Sequence, residues 1–99
     1  MSKRVEVEVY SEATNHWIVR TPGRQFPALV IQGDTLHGLY ADLLRISDQL
    51  GAEPKIDAEL REETAAVVES IRERLLDYER VITAAGFGLP YSHSVAQSQ

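Results

Sequence analysis

Val5, Val7 and Val9 alternate with Arg4, Glu6, Glu8 and Tyr10, the period of two by which successive side chains of a strand point to opposite faces. This alternation predicts a half-buried first strand with its valines toward the core. A polar stretch, Ser11 to Asn15, separates it from His16–Arg20, where β-branched and aromatic residues resume and predict a second, antiparallel strand with Trp17 and Val19 on one face. Thr21-Pro22-Gly23-Arg24 places Pro and Gly where a type II turn needs them, its third residue requiring positive φ. Phe26–Gln32 is a continuous apolar run, read as a third strand with Phe26 in the core. Pro27 cannot donate to a ladder and belongs at the strand's start or on an edge.

From Asp34 the period changes. Leu36, Leu39, Tyr40, Leu43, Ile46 and Leu50 recur at spacings of three and four, which predicts a helix with Asp34 as its N-cap and Gly51 closing it. After a short connection at Pro54, residues from about Ile56 to Ala85 read as one long helix. Val68, Ile71, Leu75, Tyr78 and Ile82 form its heptad-like seam, widened by Leu60, Val67, Leu76 and Val81. Gly86 is a C-cap glycine and Phe87 folds back on the last turn. Residues 86–99 are expected as an extended tail with a frayed end, Ser92–Gln99.

The predicted fold class is therefore α+β, a three-stranded antiparallel meander followed by a two-helix hairpin with one long C-terminal helix. It is expected as a single domain over residues 1–99, with sheet at 1–33, helical hairpin at 34–85 and tail at 86–99. One helix and a three-stranded sheet leave part of the long helix's apolar stripe uncovered, so self-association is expected through residues 56–85, as a homodimer or higher oligomer. The alternative is a monomeric helical hairpin packed on one sheet face.

Composition narrows the chemistry. With no cysteine there is no disulfide framework, thiolate nucleophile or Cys-based zinc site. No signal-like or membrane-spanning apolar run is present, and a cytoplasmic location is expected. The net charge of -5 is uneven, +1 over residues 1–33 and -6 over the remainder, which argues against binding duplex nucleic acid.

Candidate ligand-binding residues cluster between Trp17 and His37. Arg20 and Arg24 flank the tight turn, and paired guanidinium groups grip phosphate or carboxylate bidentately; the alternative is that they pair with Glu6, Glu8 or Asp34, or are solvated. Gln32, Gly33, Asp34 and Thr35 stand where a strand delivers the chain to a helix N-terminus, whose free N–H groups can hold an anion. A capping Asp34 already occupies those donors, so the fitting ligand brings hydroxyl or amine donors as well as negative charge. Trp17 is the aromatic best suited to face a ligand. His37 is a surface or partly packed residue; His16, Asp34 and His37 have the composition of a metal triad but lack a fixed ligand spacing, and no metal, cofactor or catalytic residue is assigned.

Asn15, Val19, Arg20, Pro22-Gly23-Arg24, Phe26-Pro27 and Ile31-Gln32-Gly33-Asp34-Thr35-Leu36 together resemble the signature of a family of small bacterial and phage-type proteins of unknown function, as does Leu89-Pro90-Tyr91-Ser92. Ala28 replaces an expected glycine, and His16-Trp17-Ile18 is bulkier than the pattern. The resemblance implies that the arginine turn and the Gln-Gly-Asp element belong together, and it brings no activity. The functional expectation is a non-catalytic module that sequesters a small anionic or nucleotide-derived signal as a homo-oligomer, in the manner of a phage anti-defence protein. The alternative is a protein-interaction module, such as a toxin-neutralising or regulatory partner.

Overall fold

The computed structural model describes residues 2–97; Met1 and the last two residues of the predicted tail, Ser98 and Gln99, lie outside them. The fold is α+β. Three strands, β1 (Glu8–Ser11), β2 (Ile18–Arg20) and β3 (Ala28–Leu29), precede two helices, α1 (Gly33–Ala52) and α2 (Ala58–Ala84), and a C-terminal 3-10 turn, η1 (Val95–Gln97). The chain divides into two compact units, residues 1–32 and 33–99.

In the first unit the strands form an antiparallel meander in the order β1-β2-β3. Glu8 stands opposite Arg20 and Val9 opposite Val19, with a bulge before Ser11 pairs with Ile18. The predicted turn forms between β2 and β3: Arg24 N–H donates to the Thr21 carbonyl at 3.2 Å and Gly23 has φ +81°, as a type II turn requires. The strands are shorter than the alternation suggests because their partners are short; a three-residue β2 cannot support seven residues of β1. Val5 and Val7 thus fall outside the ladder, and Val5, Val7 and Val9 are exposed rather than turned to a core. Phe26 is likewise not a core residue but 73% exposed, since pairing starts only after Pro27 and leaves Phe26 in the connection.

The second unit carries the larger core. Tyr40 of α1, Val68 and Leu75 of α2 and Val95 of η1 are buried together, with Leu36, Leu43, Leu44, Ile71 and Leu76 packed around them. Val68, Ile71 and Leu75 of the seam thus pack with residues of α1 and η1. Gly51 does not end α1, which continues to Ala52; its φ is not positive, so Gly51 acts as an ordinary helical residue. Asp34 is likewise inside the first turn of α1 rather than preceding it. Its carboxylate accepts from Thr35 N–H at 2.8 Å and complements the positive end of the helix dipole. Asp57 caps α2 by accepting from Glu59 N–H at 3.1 Å, and Arg61 closes the interhelical connection by donating to the Glu53 carbonyl.

At the other end of α2, Gly86 N–H donates to Thr83 and Phe87 N–H to Ile82, at 3.1 and 2.9 Å, with Gly86 at φ +94°. This is the Schellman arrangement. Phe87 nevertheless remains largely exposed.

Gly33 is buried where α1 begins beside α2: a Cβ there would overlap the Tyr78 ring at Cζ, Cε2 and Oη. Gly33→Ala forces that ring aside and is expected to cost about 1–3 kcal/mol, the usual range for overpacking. A chemical-denaturation midpoint equal to that of the parent would show that Tyr78 yields freely.

Candidate functional site

The eight candidate residues divide between the two units. In the sheet unit, Arg20 donates from Nε and Nη2 to the Glu8 carboxylate directly across the ladder. Glu8 holds the guanidinium above its ordinary value, first through the hydrogen bond and then through its charge. Arg20 is therefore committed to a strand-to-strand pair. Arg24, four residues on, makes no side-chain hydrogen bond or ion pair among the described residues. It borders two shallow cavities at the turn: one of about 380 Å³ with Glu6, Glu8, Arg20 and Thr21, and one of about 550 Å³ with Gln25, Phe26 and Ala28. Trp17 and Gln32 are exposed, and the Trp17 carbonyl accepts from Val30 N–H at 2.8 Å.

In the helical unit, Gly33 is filled by Tyr78, and Asp34 satisfies Thr35 N–H, as described. Thr35 itself is exposed. His37 has a structural role that its position in the sequence did not suggest. Its ring stacks on Tyr91 with centroids 3.9 Å apart and 15° between planes, and Nε2 lies 2.9 Å from the His93 carbonyl, the geometry of a donated hydrogen bond.

His37 is one half of a clasp that holds the C-terminal segment on the helical hairpin. The other half is Glu79, which is only 5% exposed. One carboxylate oxygen accepts from the Tyr91 hydroxyl at 2.7 Å and from Val95 N–H at 2.8 Å; the other accepts from the Ser94 hydroxyl at 2.7 Å and from Ala96 N–H at 3.3 Å. Burial acts to raise the Glu79 pKa, but the Val95, Tyr91, Ser94 and Ala96 donors outweigh it and leave the carboxyl below its ordinary value. Burial and the neighbouring Glu79 carboxylate push the Tyr91 hydroxyl up. Four donors on one carboxylate satisfy its lone pairs without a cation, so its burial carries no uncompensated desolvation penalty.

The C-terminal segment is thus docked, not frayed, through Gln97. Its physical reason lies in Glu79, one of twelve acidic residues after position 33, indistinguishable by spacing from its solvated neighbours. The only local hints were Tyr91 and Ser94, two hydroxyls at the right reach beyond a C-cap glycine.

Docking leaves an open groove on α1, about 550 Å³, with Tyr40, Ala41 and Leu44 along its floor, Arg45 and Asp48 beside it and His37 and His93 at one end. No group of three His, Asp or Glu residues able to hold a metal occurs among the described residues, and none of their helices is long and apolar enough to cross a membrane. A family model described as a family of unknown function (DUF6959) matches residues 2–91. No curated protein and no solved structure matches the chain.

Proposed function

We propose that this chain, which belongs to that family and takes no activity from it, is a non-catalytic protein-interaction module that works as a homo-oligomer and engages a protein partner through its sheet unit. One observation supports this reading above the others. Of the large apolar residues described in the sheet unit, Val19 alone is buried, while Val5, Val9, Tyr10, Trp17, Phe26 and Leu29 stand exposed. Apolar surface gathered on one small unit is the usual mark of a docking site, and exposed aromatics supply most of the energy when such a site closes. The partner fitting it is a protein with a complementary apolar surface, such as a toxin or a regulated enzyme.

The test begins with a protein that copurifies with the chain and is then reconstituted from purified components. Trp17→Ser with Phe26→Ser is expected to weaken that complex at least tenfold while leaving the melting temperature within a degree or two, because both side chains are solvent-facing. Retained affinity in the double variant would remove the sheet unit as the docking surface.

Arg24 favours a second reading, capture of a small anion or nucleotide-derived signal at the turn. A guanidinium with no partner among the described residues, beside an exposed Phe26, can pair with a phosphate while the ring stacks on a base. On this reading one member of a panel of cyclic and linear nucleotides raises the melting temperature by several degrees, and Arg24→Ala abolishes the rise. A flat response across the panel would leave the interaction reading alone.

A further inference from the structure

The helical hairpin has one covered face and one bare one. The covered face is marked by the C-terminal segment, which rests on His37 of α1 and on Glu79 and Leu76 of α2. At about 100° per residue, Leu39 and Ile46 point roughly opposite to His37. On α2, Leu60, Val67, Arg74 and Val81 follow one another at intervals of seven, drift through only about 60°, and lie about 140–200° around the helix from Leu76. Both helices therefore turn this second set of residues to the side away from the docked segment. Leu39, Ile46, Leu60, Val67 and Val81 are all 44–51% exposed.

We infer that this bare face is closed by a second copy of the same chain, with the two α2 helices antiparallel about a twofold axis between residues 70 and 71. The inference rests on the self-association part of the reading above and adds the surface, the orientation and the register. The stripe is self-complementary about that axis: Leu60 meets the partner's Val81, and Val67 meets the partner's Arg74. Such reciprocity is what a twofold interface requires.

Charge selects the antiparallel arrangement. Side by side and parallel, the two stripes would bring Arg74 against its own copy in the middle of an apolar contact, where like charges repel. Antiparallel, Arg74 lies across from the partner's Val67 and within a turn of the partner's Glu63. Arg74 is available for that pairing, since among the described residues its guanidinium donates only to Ser70 of its own helix, at 3.0 Å to the carbonyl and 2.6 Å to the hydroxyl. Neither Arg74 nor Glu63 has an ion pair among the described residues.

The area is sufficient. The 27 residues of α2 and the 20 of α1 make helices about 40 and 30 Å long, each about 10 Å wide. Their joint face is about 700 Å² per copy, within the range of specific dimers, about 600–1,000 Å² per partner.

Sedimentation of the full chain across a wide concentration range is expected to give twice the 11.1 kDa chain mass. Val67→Glu, on an exposed position, is expected to give the monomer with an unchanged helical circular dichroism spectrum. Arg74→Glu should weaken the dimer at least tenfold, and adding Glu63→Arg should restore it. The chain has no cysteine, so orientation can be read with a short thiol-to-thiol reagent: Leu60→Cys and Val81→Cys should cross-link when mixed, and neither should cross-link to itself. A monomer at every concentration overturns this inference and the self-association reading together. A dimer that survives Val67→Glu, or in which Leu60→Cys cross-links to itself, overturns the proposed contact while leaving self-association intact.

Discussion

Glu79→Ala is expected to release the C-terminal segment and to cost about 2–4 kcal/mol of stability. The carboxylate accepts from the Tyr91 and Ser94 hydroxyls and from the Val95 and Ala96 amides, and a charge-assisted hydrogen bond contributes about 1.5–3 kcal/mol. Four such bonds do not add. Once the acceptor is gone, the segment lifts into water sooner than leave the buried Val95 N–H and its part-buried neighbours bare, so the loss is capped at the free energy of docking.

Glu79→Gln is expected to cost less, about 1–2 kcal/mol, for a geometric reason. The amide keeps one acceptor for Val95 N–H and Tyr91, and the Ser94 hydroxyl can rotate to accept from the new NH2 group, whereas Ala96 N–H cannot turn. Hydrogen exchange decides the matter. The amides of Val95 and Ala96 should lose protection in Glu79→Ala before the centre of α2 does, and equal protection in parent and variant would show that the segment is held by Val95 packing alone.

The same group sets a pH dependence. The Glu79 pKa is depressed in the folded chain, so its contribution is complete above the unfolded carboxylate value, about 4.3, and is lost as pH falls through the lower folded value. Tyr91 is shifted upward. Its contribution is complete below the unfolded phenol value, about 10, and is lost as pH rises through the folded value. The contributions of Glu79 and Tyr91 to docking should therefore be constant between those limits, with the acid limb diminished in Glu79→Gln.

The helices were legible in the sequence because their signals are local. Spacings of three and four placed Val68, Ile71 and Leu75 on one seam, and Gly23 and Gly86 occupy the two left-handed positions that their turn and cap require. The strands were less so, since the period of two in Val5, Val7 and Val9 says which side chains share a face but not how much partner strand lies alongside. Arg20 and Arg24 looked equivalent from spacing; the ladder register, which puts Glu8 opposite Arg20, distinguishes them. His37 and Glu79 were missed as a clasp because their partners lie 12 to 56 residues away along the chain, and no periodicity encodes a contact of that separation. Gly33 seemed part of a binding element, yet it is required by the Tyr78 ring.

Leu75→Ala is expected to produce the largest loss of any single substitution in the helical unit, about 3–5 kcal/mol. Leu75 is fully buried in a core whose other buried members among the described residues are Tyr40, Val68 and Val95, and truncation removes both transfer energy and the packing around the resulting cavity. A small core has few neighbours with which to refill that space. Val95 is the exception, because it belongs to a segment that can shift on its hydrogen bonds. Leu75→Ala and Glu79→Ala should for that reason be non-additive: once the segment has been released, part of the cavity already opens to solvent, and the double variant should lose less than the sum. Denaturant midpoints of the two single variants and the double variant measure this coupling. Strict additivity would mean that the docked segment and the core are independent. The comparison also separates folding from assembly on one helix, since Val67→Glu, eight residues away on the exposed stripe, is expected to change mass and leave the stability of the single chain within about 0.5 kcal/mol.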